Sequence, residues 1–104
     1  MKLWAISDLH VSHADHRWVV SRIAPHPEDW LILGGDVGET LEQLRFVLET
    51  LTPRFARLLW VPGNHDLWVR PENPRGGDAR YRDLVALCRR YGTLTPEDPF
   101  PVFE

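Results

Sequence analysis

Side chains that can bind a metal stand at three points of this chain, each directly after an apolar run. Asp8 and His10 follow the first run, Asp36 follows the second, and Asn64 with His65 follows the third. Carboxylate oxygen and imidazole nitrogen together suit divalent ions of intermediate softness, such as manganese, iron or zinc. A separation of 28 residues lies between Asp8 and Asp36, and again between Asp36 and Asn64. The pattern therefore predicts a metal centre whose ligands come from three distant parts of the chain.

Local spacing adds detail at the first two points. Asp8 and His10 lie two residues apart at the end of a predicted strand, where side chains with that spacing leave the same face. Asp36 follows Gly34 and Gly35, which let backbone pass close to a cluster. One carboxylate has two oxygens, so Asp36 is able to bridge two ions. Each motif alone also fits an ordinary strand-end turn, but their ordered occurrence after three strands favours a site.

The third motif, Gly63-Asn64-His65-Asp66, is the most specific of the three. Asn64 offers an amide oxygen to a metal without adding charge. His65 is suited to donate a proton to a departing alkoxide or to stabilise the charge of a phosphoryl group. Asp66 is predicted to orient His65 or to help carry its positive charge. This motif places acid–base chemistry beside the predicted metal centre.

Short buried strands alternating with helices must position these residues. Consecutive βαβ units of about 30 residues account for the spacing, and a parallel sheet delivers the carboxyl end of every strand to one edge. Continuous apolar runs favour a sheet covered on both faces. The predicted elements are a strand at 2–7, a helix at 14–23, a strand at 30–33, a helix at 41–52, a strand at 58–61 and a helix at 78–91.

The helix boundaries carry recognisable signals. Thr40, followed three residues later by Gln43, is a capping-box start. The third helix is predicted to begin at Asp78 and to stop at Gly92. The segment from residue 93 to 104 contains three prolines and is predicted to be a linker or the approach to another strand.

Composition limits the class of protein. The chain has 104 residues, 43% hydrophobic and 26% charged, so a single globular domain is expected. A net charge of −3 gives no electrostatic reason for nucleic acid or an anionic membrane as an obligatory partner. The one cysteine, Cys88, fits a reducing compartment, and no apolar run approaches the ~20 residues of a membrane span. We therefore expect a cytoplasmic protein without a membrane anchor.

On its motifs the chain resembles the calcineurin-like metallophosphoesterases, and a bacterial member in particular. Their signature of Asp-x-His, Gly-Asp and Gly-Asn-His-Asp or Gly-Asn-His-Glu stands here as Asp8-Leu9-His10, Gly35-Asp36 and Gly63-Asn64-His65-Asp66. The resemblance runs from Leu3 to at least Trp68. It implies hydrolysis of a phosphomonoester or phosphodiester at a centre of two divalent ions, with manganese, iron and zinc as candidates.

The same resemblance implies a role for each site residue. Asp8 and His10 are expected to bind the first ion, Asp36 to bridge both and Asn64 to bind the second. His65, with Asp66, is expected to be catalytic. The implied fold is a four-layer α/β/β/α sandwich, of which this chain, as a single domain over residues 1–104, holds the N-terminal half in the order βαβαβα. We expect it to be part of something larger.

One departure from the family keeps alternatives open. Family members supply further histidine ligands from later in the chain, and no histidine follows His65 here. The second ion then has only two protein ligands. Two alternatives are therefore open. The chain is a non-catalytic scaffold of the same fold, or it is a half that another chain completes through an exposed sheet edge. The substrate, the oligomeric state and nucleic acid as a substrate stay open, because selectivity resides in loops outside this metal core.

Other residues are expected to be structural. His13 and His16 are predicted to be surface histidines, and His26, between two prolines, to be solvated in a turn. Cys88 is predicted to be an inert core thiol. The tryptophans in the strands, Trp4, Trp30 and Trp60, are expected in the core, and Trp68 is a candidate for a substrate pocket. The arginines after the third motif are expected on a solvated face: Arg70, Arg75, Arg80 and Arg82.

Overall fold

The computed structural model of the chain describes residues 1–67 and 77–103. The predicted pocket residue Trp68, together with Arg70 and Arg75, lies outside the described residues. The order of elements is βαβαβα, as predicted. The elements are β1 (Leu3–Ile6), α1 (Ala14–Ser21), β2 (His26–Leu33), α2 (Leu41–Leu51), β3 (Phe55–Trp60) and α3 (Gly77–Arg90), with 3₁₀ turns at Thr52–Arg54 and His65–Leu67.

The three strands form one parallel sheet in the order β1-β2-β3. Right-handed crossovers that advance in one direction place their helices on the same face of the sheet. The ring of Trp60 in β3 stacks on Tyr81 of α3 at a centroid distance of 6.3 Å, which places α3 on that face too. The described residues therefore form two of the four layers that the resemblance implies, and the α/β class with a parallel sheet is confirmed.

Only one face of the sheet is covered, so the prediction of two covered faces is wrong for the described residues. Leu31 and Leu33 of β2 and Leu58 of β3 are buried under the helices. On the opposite face, Leu3 is 49% exposed, and Trp30 is covered only in part by the ring of Phe103 at 5.1 Å. The helices cover one face of the sheet. Among the described residues, only the segment after α3 packs against the other face.

The tryptophans divide according to the faces and edges of the sheet. Trp60, in β3, is fully buried, as predicted. Trp4 is 40% exposed because β1 is an edge strand in the described part of the chain. Trp30 is half-buried on the open face. The expectation of a core position is therefore confirmed for Trp60 and wrong for Trp4.

β2 begins four residues earlier than predicted, at His26. His26 pairs with Phe55, and the register then shifts before Trp30 pairs with Arg57. The irregular register accommodates Pro27, which has no N–H to donate. The His26 ring lies 5.8 Å from the Phe55 ring and is half-buried, so the predicted solvated turn is wrong.

The helix ends agree with their sequence signals. Thr40 Oγ1 accepts the N–H of Gln43 at 3.2 Å, and Gln43 Oε1 accepts the N–H of Glu39 at 2.6 Å. Past α3, Gly92 has φ 72°, a left-handed conformation that ends a helix at little cost for glycine. Both predicted boundaries are confirmed to within a residue or two.

The segment after α3 approaches the sheet as a further strand would. The N–H of Leu94 donates to Leu58 O at 3.0 Å, and the N–H of Trp60 donates to Leu94 O at 2.8 Å. This single parallel bridge supports the second of the two predictions for residues 93–104. Within the described ranges, no helix is long and apolar enough to cross a membrane.

Candidate metal centre

Three of the predicted ligands meet at the carboxyl edge of the sheet. Asp8, His10 and Asp36 each offer a ligand atom, and these atoms lie within 4.8 Å of one another. His10 Nε2 is 3.4 Å from Asp8 Oδ1. Asp8 follows β1 and Asp36 follows β2, and these strands are paired neighbours. The predicted convergence of these three side chains is therefore present in the structure.

The backbone of all three residues is left-handed. Asp8 has φ 57°, His10 has φ 46° and Asp36 has φ 53°, and no other non-glycine residue in the described ranges has a positive φ. Such conformations cost about 1–3 kcal/mol each and persist where surrounding structure over-determines them. The side chains of Asp8 and His10 thus meet because of two left-handed turns. The predicted cause, strand alternation, is wrong, since β1 ends at Ile6.

Backbone hydrogen bonds hold these turns together beyond the ends of the strands. The N–H of Asp8 donates to Gly35 O, and the N–H of His10 donates to Asp36 O, both at 3.0 Å. The N–H of Val11 then donates to Val37 O at 2.9 Å. The loop after β1 and the loop after β2 therefore remain paired through the site, which fixes Asp8 and His10 relative to Asp36.

The third motif packs against Asp36 through glycine. A Cβ at Gly63 would collide with Asp36 Oδ1 and would lie 2.6 Å from its backbone nitrogen. A Cβ at Gly35 would lie 2.9 Å from the nitrogen of Gly63. Because both positions lack a side chain, the N–H of His65 is able to donate to Asp36 Oδ1 at 2.8 Å.

His65 contacts the three-residue cluster, and Asn64 precedes it in the chain. The rings of His65 and His10 meet edge to face at a centroid distance of 4.9 Å. Asn64 is exposed, and its backbone oxygen accepts the N–H of Leu67 at 3.2 Å. The structure thus places His65 beside the three clustered residues, and Asn64 precedes it in the same turn.

Asp66, the sixth predicted site residue, lies behind the site and is only 3% exposed. Its Oδ2 accepts the N–H groups of Asp36 at 2.7 Å and Gly63 at 2.8 Å. Its Oδ1 accepts those of Val37 at 3.1 Å and Gly38 at 3.3 Å. The carboxylate therefore joins the loop after β2 to the turn after β3, and in the described part of the chain its partners are backbone amides.

Two carboxyl groups at the site have shifted pKa values. The Ser7 side chain, followed by His10, lowers the pKa of Asp8 through hydrogen bonds, which favours an ionised ligand. Burial raises the pKa of Asp66, and this outweighs the opposing effect of the amides of Gly63, Gly38 and Asp36. Burial also raises the pKa of the Cys88 thiol to about 12, in accord with an inert thiol.

Two supporting residues were not recognised in the sequence. His16 Nδ1 lies 2.9 Å from Leu9 O and 3.1 Å from His10 O, so its ring contacts the turn that carries His10. Arg80, predicted on a solvated face, is only 1% exposed and reaches the backbone behind the site. The contacts of His16 have no sequence signal. Arg80 has one, because it lies four residues before Leu84 and eight before Cys88, a helical spacing that places it on the buried face of α3.

The donor set fits a divalent ion. Two carboxylates and one imidazole combine oxygen and nitrogen ligands, the combination that suits manganese, iron or zinc. The His10 side chain is 27% exposed and that of Asp8 is 60% exposed, so the cluster is open on the solvent side. A substrate is therefore able to approach the ligands directly.

Known proteins resemble this chain in sequence and in fold. The chain is 48% identical to the acyl-carrier-protein phosphodiesterase PptH of Mycobacterium tuberculosis, over 97% of this chain and 32% of that relative. The crystal structure of the M. tuberculosis phosphopantetheinyl hydrolase PptH matches with a TM-score of 0.90 and 48% identity, over 97% of this chain and 37% of that one. The chain thus spans about a third of the length of these relatives.

The family assignment follows from the extent of the match and from the site together. The family model for calcineurin-like phosphoesterases matches residues 1–99. This range contains all three motifs and the cluster of Asp8, His10 and Asp36. The chain belongs to the calcineurin-like phosphoesterase family.

Proposed function

We propose that this chain supplies the N-terminal metal-binding half of a metal-dependent phosphoesterase. The observation that carries the proposal is the convergence of Asp8, His10 and Asp36 within 4.8 Å, each on a left-handed backbone. Strain confined to the ligand residues is typical of a functional site. The chain matches about a third of the length of its relative, which supports the proposal that residues 1–104 are one part of a larger domain.

Each side chain has a distinct task in this proposal. Asp8 and His10 would hold one divalent ion, Asp36 would bind both that ion and a second, and Asn64 would supply an amide oxygen to the second. When bound, the ions lower the pKa of water and neutralise phosphoryl charge. His65, beside His10, donates a proton to the leaving oxygen.

Asp66 has a positioning role in the same proposal. Its carboxylate accepts amides from both loops of the site, so it sets the distance between Asp36 and the turn of Asn64 and His65. By fixing the backbone of this turn, Asp66 holds the His65 side chain in position.

The substrate class that we propose is a phosphodiester. The relative with 48% identity is named as an acyl-carrier-protein phosphodiesterase, and a diester of a phosphopantetheine arm is the corresponding candidate here. Manganese is the ion and the cytoplasm the compartment that we propose, the latter in accord with a single buried cysteine.

A scaffold without activity is the second candidate. The strained backbone of all three ligands argues against it, because a scaffold gains nothing from that cost. Manganese binding separates the two: a folded protein at its natural length that binds no Mn²⁺ supports the scaffold.

Asp36→Asn tests the phosphoesterase directly. In the protein at its natural length, we expect this variant to lose about 100-fold or more of its Mn²⁺-stimulated hydrolysis of bis(p-nitrophenyl) phosphate. A chelator should abolish the wild-type rate, and added Mn²⁺ should restore it. The matched control is Glu42→Gln, whose side chain is 81% exposed on α2.

Two outcomes decide the proposal. A fully active Asp36→Asn variant would contradict the bridging role. A comparison of p-nitrophenyl phosphate with the diester checks the substrate class, since we expect the diester to be hydrolysed with the higher kcat/KM.

A further inference from the structure

A charged side chain is buried directly behind the site. Arg80 lies in the first turns of α3 and is only 1% exposed. Arg82, two residues later on the same helix, has an 80% exposed side chain. Helical geometry therefore directs Arg80 into the protein and leaves Arg82 in solvent.

The Arg80 guanidinium donates to two different loops of the site. Its Nε donates to the backbone oxygen of Asp66 at 3.0 Å, and its Nη2 donates to the backbone oxygen of Glu39 at 2.5 Å. Asp66 belongs to the turn after β3, which carries Asn64 and His65. Glu39 belongs to the loop after β2, which carries Asp36. One rigid guanidinium thus fixes the separation of these two segments.

Arg80 and Asp66 act on the same pair of segments from opposite directions. Asp66 accepts the amides of Asp36, Val37, Gly38 and Gly63. Arg80 satisfies backbone carbonyls of the same two segments. Asp66 therefore holds amides, and Arg80 holds carbonyls, of the loop after β2 and the turn after β3. These contacts leave the two segments little freedom to move apart.

Packing alone does not account for a guanidinium at this position. Burial lowers the pKa of Arg80 by disfavouring its charge, against the opposing attraction of Asp66 and Asp83. In the described part of the chain, Nη1 is buried without a hydrogen-bond partner. An apolar side chain of similar length would fill the same space without these costs, so the two carbonyl contacts are what the arginine supplies.

We propose that Arg80 is a positioning residue that holds the Asp36 loop and the Asn64–His65 turn in one fixed relation. It does so from α3, without touching the ligand side chains. The proposal rests on the proposed function for its catalytic consequence. Its structural content concerns the two backbone segments and is measurable without metal or substrate.

The test uses three variants of the protein at its natural length. Arg80→Met removes both donors and keeps much of the volume, Arg80→Lys retains a charge without the planar fork, and Arg82→Met is the exposed control. In metal-free protein we expect Arg80→Met to exchange the amides held by Asp66 about tenfold faster or more. The amides in the last turn of α2, residues 48–51, lie away from these contacts and should be unchanged.

The metal-loaded protein supplies a second readout. For Arg80→Met we expect Mn²⁺ affinity, measured by calorimetry with the metal alone, to fall by about 10–100-fold, the range for residues that orient metal ligands. On a p-nitrophenyl diester, kcat should fall while KM changes little. Arg80→Lys should lie between wild type and Arg80→Met, and Arg82→Met should match wild type.

Contrary outcomes are distinct from one another. Wild-type exchange and Mn²⁺ affinity in folded Arg80→Met would overturn the proposal, and so would a uniform increase in exchange that includes α2. If Arg80→Met does not fold, Arg80→Lys decides by the same readouts. If the wild type binds no Mn²⁺, the proposed function fails, and the exchange measurement still decides the role of Arg80.

Discussion

At the scale of the residue, the backbone strain of this site is concentrated in its three candidate metal ligands. Aspartate and histidine are among the residues that tolerate left-handed backbone best, and Asp8, His10 and Asp36 all adopt it. Hydrogen bonds between the loops, and the four amides at Asp66, offset that cost. Contacts within the protein thus hold the backbone of these three residues.

His65→Asn tests proton donation at this scale. We expect kcat for a phosphodiester of an alkyl alcohol to fall by about 10²–10⁴-fold. The loss for a p-nitrophenyl diester should be smaller, because p-nitrophenolate leaves without needing a proton. Steady-state kinetics on both substrates checks this, with the exposed His13→Asn as control. An equal loss on both would contradict the role of His65 as proton donor.

At the scale of the element, a single carboxylate positions the start of β1. Asp29 Oδ1 accepts the N–H of Lys2, and Oδ2 accepts Nε1–H of Trp4, both at 2.8 Å. The N–H of Trp30 donates to Lys2 O at 2.9 Å. These contacts place β1 in its register beside β2. The same register brings Asp8, just after β1, next to Gly35, just after β2.

Asp29 gives a prediction about pH. The hydrogen bond from Trp4, and then that from Lys2, lowers the pKa of Asp29 from its ordinary value of 3.8. A lowered pKa in the folded state means that the carboxylate stabilises the protein above pH 3.8 and that this stabilisation is lost as the pH falls through the folded pKa. Asp29→Asn, which accepts only one of the two donors, should lower Tm by a few degrees at pH 7.

Thermal unfolding from pH 7 to pH 2 measures this effect. The difference between wild type and Asp29→Asn should shrink below pH 3.8. The neighbouring exposed Glu28→Gln serves as control and should leave Tm unchanged. A difference that stays constant down to the most acidic pH would show that the ionised carboxylate is not its source.

At the scale of the whole molecule, the described residues form a thin body with one open face. Its extents are 42 × 33 × 19 Å, and the shortest matches one sheet and one layer of helices at about 10 Å each. The register puts Leu3, Trp30 and Ile32 on the face away from the helices. The second sheet of the four-layer fold that the resemblance implies is expected to cover this face.

Dye binding tests the open face. We expect residues 1–104, expressed alone, to bind 8-anilinonaphthalene-1-sulfonate and to self-associate as concentration rises, because an apolar sheet face meets water. Leu3→Thr with Ile32→Thr should reduce both. Trp18→Thr is the control, since Trp18 is 64% exposed but belongs to the helical layer. An equal reduction by the control would contradict the assignment to the sheet face.

The sequence by itself determined the order of elements and the family, and it predicted that Asp8, His10 and Asp36 lie together. These are encoded locally: apolar runs mark the three strands, Thr40 and Gly92 mark helix ends, and three short motifs mark the carboxyl edge. A parallel sheet converts that order into proximity, which is why Asp8, His10 and Asp36 were predicted together and are found together.

Only the tertiary structure decided how the ligands are held and which residues hold them. The left-handed turns at Asp8 and His10, the early start of β2 at His26 and the burial of Arg80 each depend on contacts between segments distant in sequence. The helical spacing of Arg80 to Leu84 and Cys88 indicates its buried face but not its partners. Those partners are carbonyls 14 and 41 residues away, which come within hydrogen-bond distance only once the chain has folded.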